Sequence, residues 1–152
     1  MADRNEVKGN IKEILGTDGI SGTFGELWLE GDYVAELEGF QAKVEFKKAE
    51  VPRPRHMIAA HKTVGAEGKG SCTMTKVNSR MTKLIGLRIK EQKTLAFEII
   101  SKLDDPDNIG AERIKYKSVQ FDDLTLADFK NGEIGKVEAP FTFDDFEPID
   151  LI

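Results

Sequence analysis

Residues 33–52 read YVAELEGFQAKVEFKKAEVP. Phe40, Ala42, Val44 and Phe46 alternate with Gln41, Lys43, Glu45 and Lys47. Successive side chains of a strand point to opposite faces, so this half is a strand with one buried face and one wet face. The first half alternates in the opposite phase, with Tyr33, Ala35 and Leu37 apolar and Glu36 and Glu38 charged. A slip of one residue carries the apolar set across the strand. Gly39 stands at the slip, where a bulge or sharp bend absorbs it. Unbroken, residues 33–48 span about 50 Å at roughly 3.3 Å each, which is long for a small domain. The segment that follows has no clear period, and Pro52 and Pro54 disfavour helix and central strand. The expectation is a long loop over residues 49–70, for which a single subunit has little use and an assembly has a use.

Working outward, FGELWLE (residues 24–30) reads as a strand, and Gly31-Asp32 marks the tight turn that pairs it with the next. SCTMTKV (71–77) is rich in β-branched residues. Asn78 and Ser79 are good N-caps, and Met81, Leu84, Ile85, Arg88 and Ile89 recur at helical spacing, so a helix is predicted over residues 79–91. Strands follow at 95–103 and 112–121. A last strand carries Val137, Ala139, Phe141 and Phe143 on one face, and Pro140 within it predicts an edge position. The apolar Leu151 and Ile152 predict a docked tail. Residues 1–22 are polar and glycine-punctuated, an arm ordered by contact with something else. The sum is one mainly β domain over residues 1–152, a β-sandwich or barrel of about six strands with one α-helix packed against it.

The 152 residues suit one domain with a real core. Net charge is −5, so bulk attraction to nucleic-acid phosphates is excluded. A single cysteine, Cys72, excludes an intrachain disulfide. No apolar run approaches the ~20 residues of a membrane span, so no membrane anchor is expected.

The search for chemistry is unproductive. His56 and His61 lack further ligands at metal-binding spacing. DPDNIG from Asp105 departs from a calcium loop, having Ile109 at the fifth position and Tyr116 at the twelfth. GAEGKGS from Gly65 departs from the phosphate-loop spacing and reads as a flexible return into a strand. Ser71 and Cys72 have no local base. Asp122-Asp123 and Asp144-Asp145 are adjacent carboxylates, which a strand sends to opposite faces, so they make poor acid/base couples. The expectation is no enzyme, no metal and no cofactor. What remains is binding surface: open strand edges, an arm and a long loop. In that loop Arg53, Arg55, His56, Met57 and Ile58 are candidate intersubunit contacts, and Asp122, Asp123, Asp144 and Asp145 are candidate lumen or interface acids.

Several stretches together resemble one family. ISGTFGELWLEG from Ile20, EGFQAKVEF in the long strand, KVNSRM from Lys76, ISKLDDPDNIGAER from Ile100, FDDLTLADF from Phe121 and APFTFDDFEPID from Ala139 are similar to the XkdM-like tail tube proteins of phages, named for a defective-prophage element of Bacillus. The resemblance covers most of the chain. It implies a structural virion protein, made in the host cytoplasm, whose hexameric rings stack into a hollow tube with a strand-lined lumen and an outer helix. The tube conducts DNA without binding it specifically and holds a tape-measure protein. Sheath and baseplate proteins are implied as further partners, and the type VI secretion tube is similar in fold. Six copies at −5 each carry about −30, a field that repels DNA wherever the acids face inward. The competing reading is a monomeric β-barrel that binds a small ligand in its interior.

Overall fold

The computed structural model describes residues 14–108 and 110–152. Residues 1–13 of the predicted N-terminal arm lie outside the described residues. Eight strands are present: β1 (Gly25–Leu29), β2 (Asp32–Tyr33), β3 (Leu37–Val51), β4 (Ala60–Thr75), β5 (Phe97–Leu103), β6 (Glu112–Phe121), β7 (Lys136–Phe143) and β8 (Asp145–Asp150). They form one antiparallel sheet in the order β2-β1-β5-β6-β7-β4-β3, with β8 paired to β6.

The β1–β2 turn uses Glu30 and Gly31, at φ 51° and 83°, one residue earlier than expected. Two successive positive-φ residues twist a two-residue hairpin in the sense its strands require. The expected continuous strand from Tyr33 is broken at residues 34–36. Val34 turns into the core, and Glu36 is held by Arg80, whose Nε donates to Oε1 at 2.8 Å. The phase slip appears where expected, as a register shift between Leu37 and Gly39.

Residues 60–70, expected as loop, are strand. β3 and β4 make one long hairpin, paired from Leu37↔Met74 to Val51↔Ala60, and only residues 52–59 form its tip. A second register shift at Lys47/Lys48 leaves Val64 bulged out.

The sheet curls onto itself. β3 and β6 stand three places apart in strand order, yet the Phe40 and Tyr116 ring centroids are 5.6 Å apart. A bulge in β6 makes the corner: Phe97↔Val119 and Ile99↔Tyr116 put an extra residue on β6, and Ser118 sits at φ 53°. Beyond it, β6 leaves β8 and pairs with β7 through Gln120 and Phe121. The core between the layers holds Leu27, Leu29, Phe97, Ile99, Val119 and Phe141. Its rings touch in a chain, Tyr116 to Phe143 at 5.2 Å and Phe40 to Phe141 at 5.9 Å.

β7 is an inner strand, which corrects the edge position expected from Pro140. The Pro140 carbonyl accepts the Asp122 amide at 2.9 Å, so the ring nitrogen also faces the side where the short β6 ladder ends. The one bond proline forfeits, its own N–H to the residue opposite, falls at the end of that ladder. The helix runs where predicted, but its middle is a π-helical turn, Thr82–Gly86, followed by an α-helical turn, α1 (Leu87–Lys90). Met81 and Ile85 are buried against the sheet, Arg88 stacks over the Phe97 ring at 4.5 Å, and Ile89 faces solvent. Leu151 and Ile152 are exposed as well, contrary to the docked tail expected.

Gly68 and Gly70 of β4 lie opposite Phe143 and Phe141 of β7. A Cβ on Gly70 would stand 2.5 Å from the Gln41 carbonyl oxygen and 2.5 Å from Phe141 Cζ, and one on Gly68 would stand 2.5 Å from the Phe143 ring. The phenylalanines cover backbone that has no side chain of its own. Gly70→Ala is expected to cost about 1–3 kcal/mol as overpacking, read as a lower urea midpoint at unchanged slope. Gly39→Ala, with nothing within 4 Å of its Cβ, is the near-neutral control.

Candidate assembly interface

β4 pairs with β7 only over Gly68–Thr75, so the outer part of the β3–β4 hairpin leaves the sheet as a two-stranded arm. One face continues the core face of β3. Phe46 lies on it, opposite Ala66, and is 63% exposed where Val44 two residues earlier packs on the core. The other face carries a lattice of ion pairs: Lys43 to Glu45 at 3.1 Å, Lys69 to Glu45 at 3.3 Å, Lys69 to Glu67 at 3.8 Å and Lys47 to Glu67 at 3.9 Å. Lys43 and then Lys69 hold the Glu45 carboxyl below its ordinary range, and Glu45 raises Lys69 in turn. All of these groups are well exposed, so the lattice sets charge more than stability.

At the tip, Arg53 Nη2 donates to the Ile58 carbonyl at 2.8 Å, and Arg55 takes φ 62°. The structure therefore brings together Arg53, Arg55, His56, Met57 and Ile58 on one exposed turn. His61 lies on the arm opposite Glu50. The four acids divide. Asp122 and Asp123 leave the end of β6, while Asp144 and Asp145 sit at the β7–β8 corner, where the Asp144 amide donates to the Lys117 carbonyl at 3.2 Å. All four are exposed. The outer edge of β3, about 50 Å long at 3.3 Å per residue, has no paired strand among the described residues.

The reactive groups are placed without chemistry. Burial pushes the Cys72 thiol up to about 11, so it holds no thiolate at neutral pH. Among the described residues, no group of three His, Cys, Asp or Glu could hold a metal ion. No helix among them is long and apolar enough to cross a membrane.

The sequence profile of the family described as phage tail tube protein matches residues 13–150. The chain belongs to that family. Members of this tail tube family are structural proteins, not enzymes. The XkdM protein of the phage-like element PBSX of Bacillus subtilis (strain 168) is 36% identical over 130 residues, covering 84% of this chain and 88% of that one. In fold, the chain is similar to a protein of the sheath–tube complex of the extracellular contractile injection system PVC in its extended state, with a TM-score of 0.68, 8% identity, and 98% and 100% of the two chains covered. It is also similar to the tube-terminating cap of the anti-feeding prophage, with a TM-score of 0.67, 12% identity, and 90% and 95% covered. The tail tube fold is thus kept with little sequence in common.

Sequence reasoning left Asp105 in an ordinary turn, and the structure gives it a longer reach. Asp105 is buried and accepts the Ser21 amide at 2.9 Å and the Asp107 amide at 2.9 Å. It ties the segment before β1 to the β5–β6 turn. The Ser21 amide, then the Asp107 amide, lowers its pKa below the usual aspartate value. A lowered folded pKa contributes stability that is fully present above the unfolded pKa and drains away as pH falls through the folded one. Asp105→Asn is therefore expected to flatten the acid limb of the stability curve below about pH 4 and to speed proteolysis near residue 21, measured by urea titration across pH and by limited digestion.

Proposed function

We propose that this chain is the tube subunit of a phage tail or a phage-tail-like particle, made in the bacterial cytoplasm, and that it closes into hexameric rings stacked around a lumen. DNA passes through that lumen, and a tape-measure protein occupies it before ejection. Sheath and baseplate proteins are the outer partners. The observation that carries this reading is the arm. A lone two-stranded ribbon is marginally stable in water, yet this one holds Phe46, Val51, Met57, Ile58 and Val64 in solvent. Together with the unpaired edge of β3, it is surface that neighbouring copies bury. Cyclic closure joins strand edges and so removes them. Residues 49–70 are then the main assembly element, with Arg53, Arg55, His56, Met57 and Ile58 at intersubunit contacts. Asp122, Asp123, Asp144 and Asp145 face the lumen or those contacts, where their charge repels a passing polyanion.

The interior is filled by aromatic rings, with a recess of about 580 Å³ beside Phe40 and Tyr116. A small-ligand barrel has no comparable support. Negative-stain microscopy of concentrated protein is expected to show rings or short tubes that disperse on dilution. A monodisperse monomer at every concentration, and absence from the parent particle's tube, would refute the reading.

A further inference from the structure

Two exposed surfaces of this chain are opposite in sign. The first is the arm tip, where Met57 and Ile58 are 103% and 80% exposed. Between residues 50 and 62 the charged residues are Arg53, Arg55 and Lys62, against the single carboxylate Glu50. The Arg53 bond to the Ile58 carbonyl fixes the turn without covering either side chain.

The second is the connection between β6 and β7. It is fastened at both ends, by Leu124 packing on the core and by the Lys76 amide donating to the Gly135 carbonyl at 2.8 Å. Between those anchors Leu126, Phe129 and Ile134 are 72%, 86% and 79% exposed. Within residues 122–134 the charged residues are Asp122, Asp123, Asp128 and Glu133, against the single lysine Lys130. Single exposed apolar residues need no explanation, but a cluster of large ones rimmed by charge marks an interaction surface.

Charge selects the pairing. Tip against tip brings cations together, and loop against loop brings carboxylates together. Only tip against loop is complementary. One chain cannot supply both partners from the same patch, so the contact is heterologous and propagates from copy to copy.

We propose that the arm tip of one copy docks on the 122–134 connection of a second copy, with Met57 and Ile58 packing on Leu126 and Phe129 and Arg55 facing Asp128. The proposal rests on the tube reading and names the partner surface within it.

The test mixes two single variants, Met57→Cys and Phe129→Cys, under mild oxidation at assembling concentration. The native Cys72 is buried and stays out of the exchange. An intermolecular disulfide is expected in the mixture and in neither variant alone. Arg55→Glu in the first variant should lower its yield roughly fivefold, and Asp128→Lys in the second should restore it. Disulfides as abundant in one variant alone as in the mixture overturn the docking. Tubes seen by microscopy with no mixed disulfide overturn it and leave the tube reading standing. Failure of the unmodified chain to associate at all overturns both.

Discussion

The rings of Phe141 and Phe143 lying on the bare backbone of Gly70 and Gly68 are the constraint on which the other features depend. Without a Cβ at those positions, β4 presents flat backbone between β7 and β3, and the rings occupy the space its side chains would have taken. Phe143 then meets Tyr116, and Phe141 meets Phe40 and Phe121, so the two layers of the curled sheet are joined through the same two residues. The arm begins where this arrangement stops. β7 ends at Phe143 opposite Gly68, and every β3–β4 pair beyond that point lacks a third strand among the described residues.

The same glycines explain what the sequence did and did not disclose. β6 was legible to the residue, because Ile114 and Tyr116, then Val119 and Phe121, alternate on either side of the Ser118 bulge and turn residues bound the run. The aromatic face of β7 was legible too, as was the slip near Gly39. β4 was not. Its half-buried positions at Gly68 and Gly70 have no side chain to mark a period, and their apolar cover comes from a strand about seventy residues later in the chain. Pro140 misled for a related reason. Proline is excluded from a ladder only where its missing N–H is needed, and the β6–β7 ladder ends at Phe121↔Phe141, one residue short of it. The tip residues were legible as a group by their place in the aperiodic run that Pro52 and Pro54 open. The acidic connection after β6 was seen as adjacent carboxylates, and its exposed Leu126 and Phe129 passed as ordinary loop composition.

Little of the arm's order comes from its own contacts. Its ion pairs are exposed and screened by solvent, so they add little stability. Its apolar face has no opposing layer. An ordered arm is therefore a question of what holds its ends. At the base, the ring–glycine contacts set the direction in which β3 and β4 leave the body. At the tip, Arg53 bridges back to the Ile58 carbonyl. Both ends are fixed before any partner arrives, so less conformational entropy remains to be lost when one does. Each large apolar side chain then buried contributes about 1.5–3 kcal/mol, and little of it is spent on ordering. A flexible loop of the same length carrying the same side chains would lose much of that gain. The long hairpin, rather than a loop over residues 49–70, is thus the form in which the proposed contact would lose least entropy on assembly.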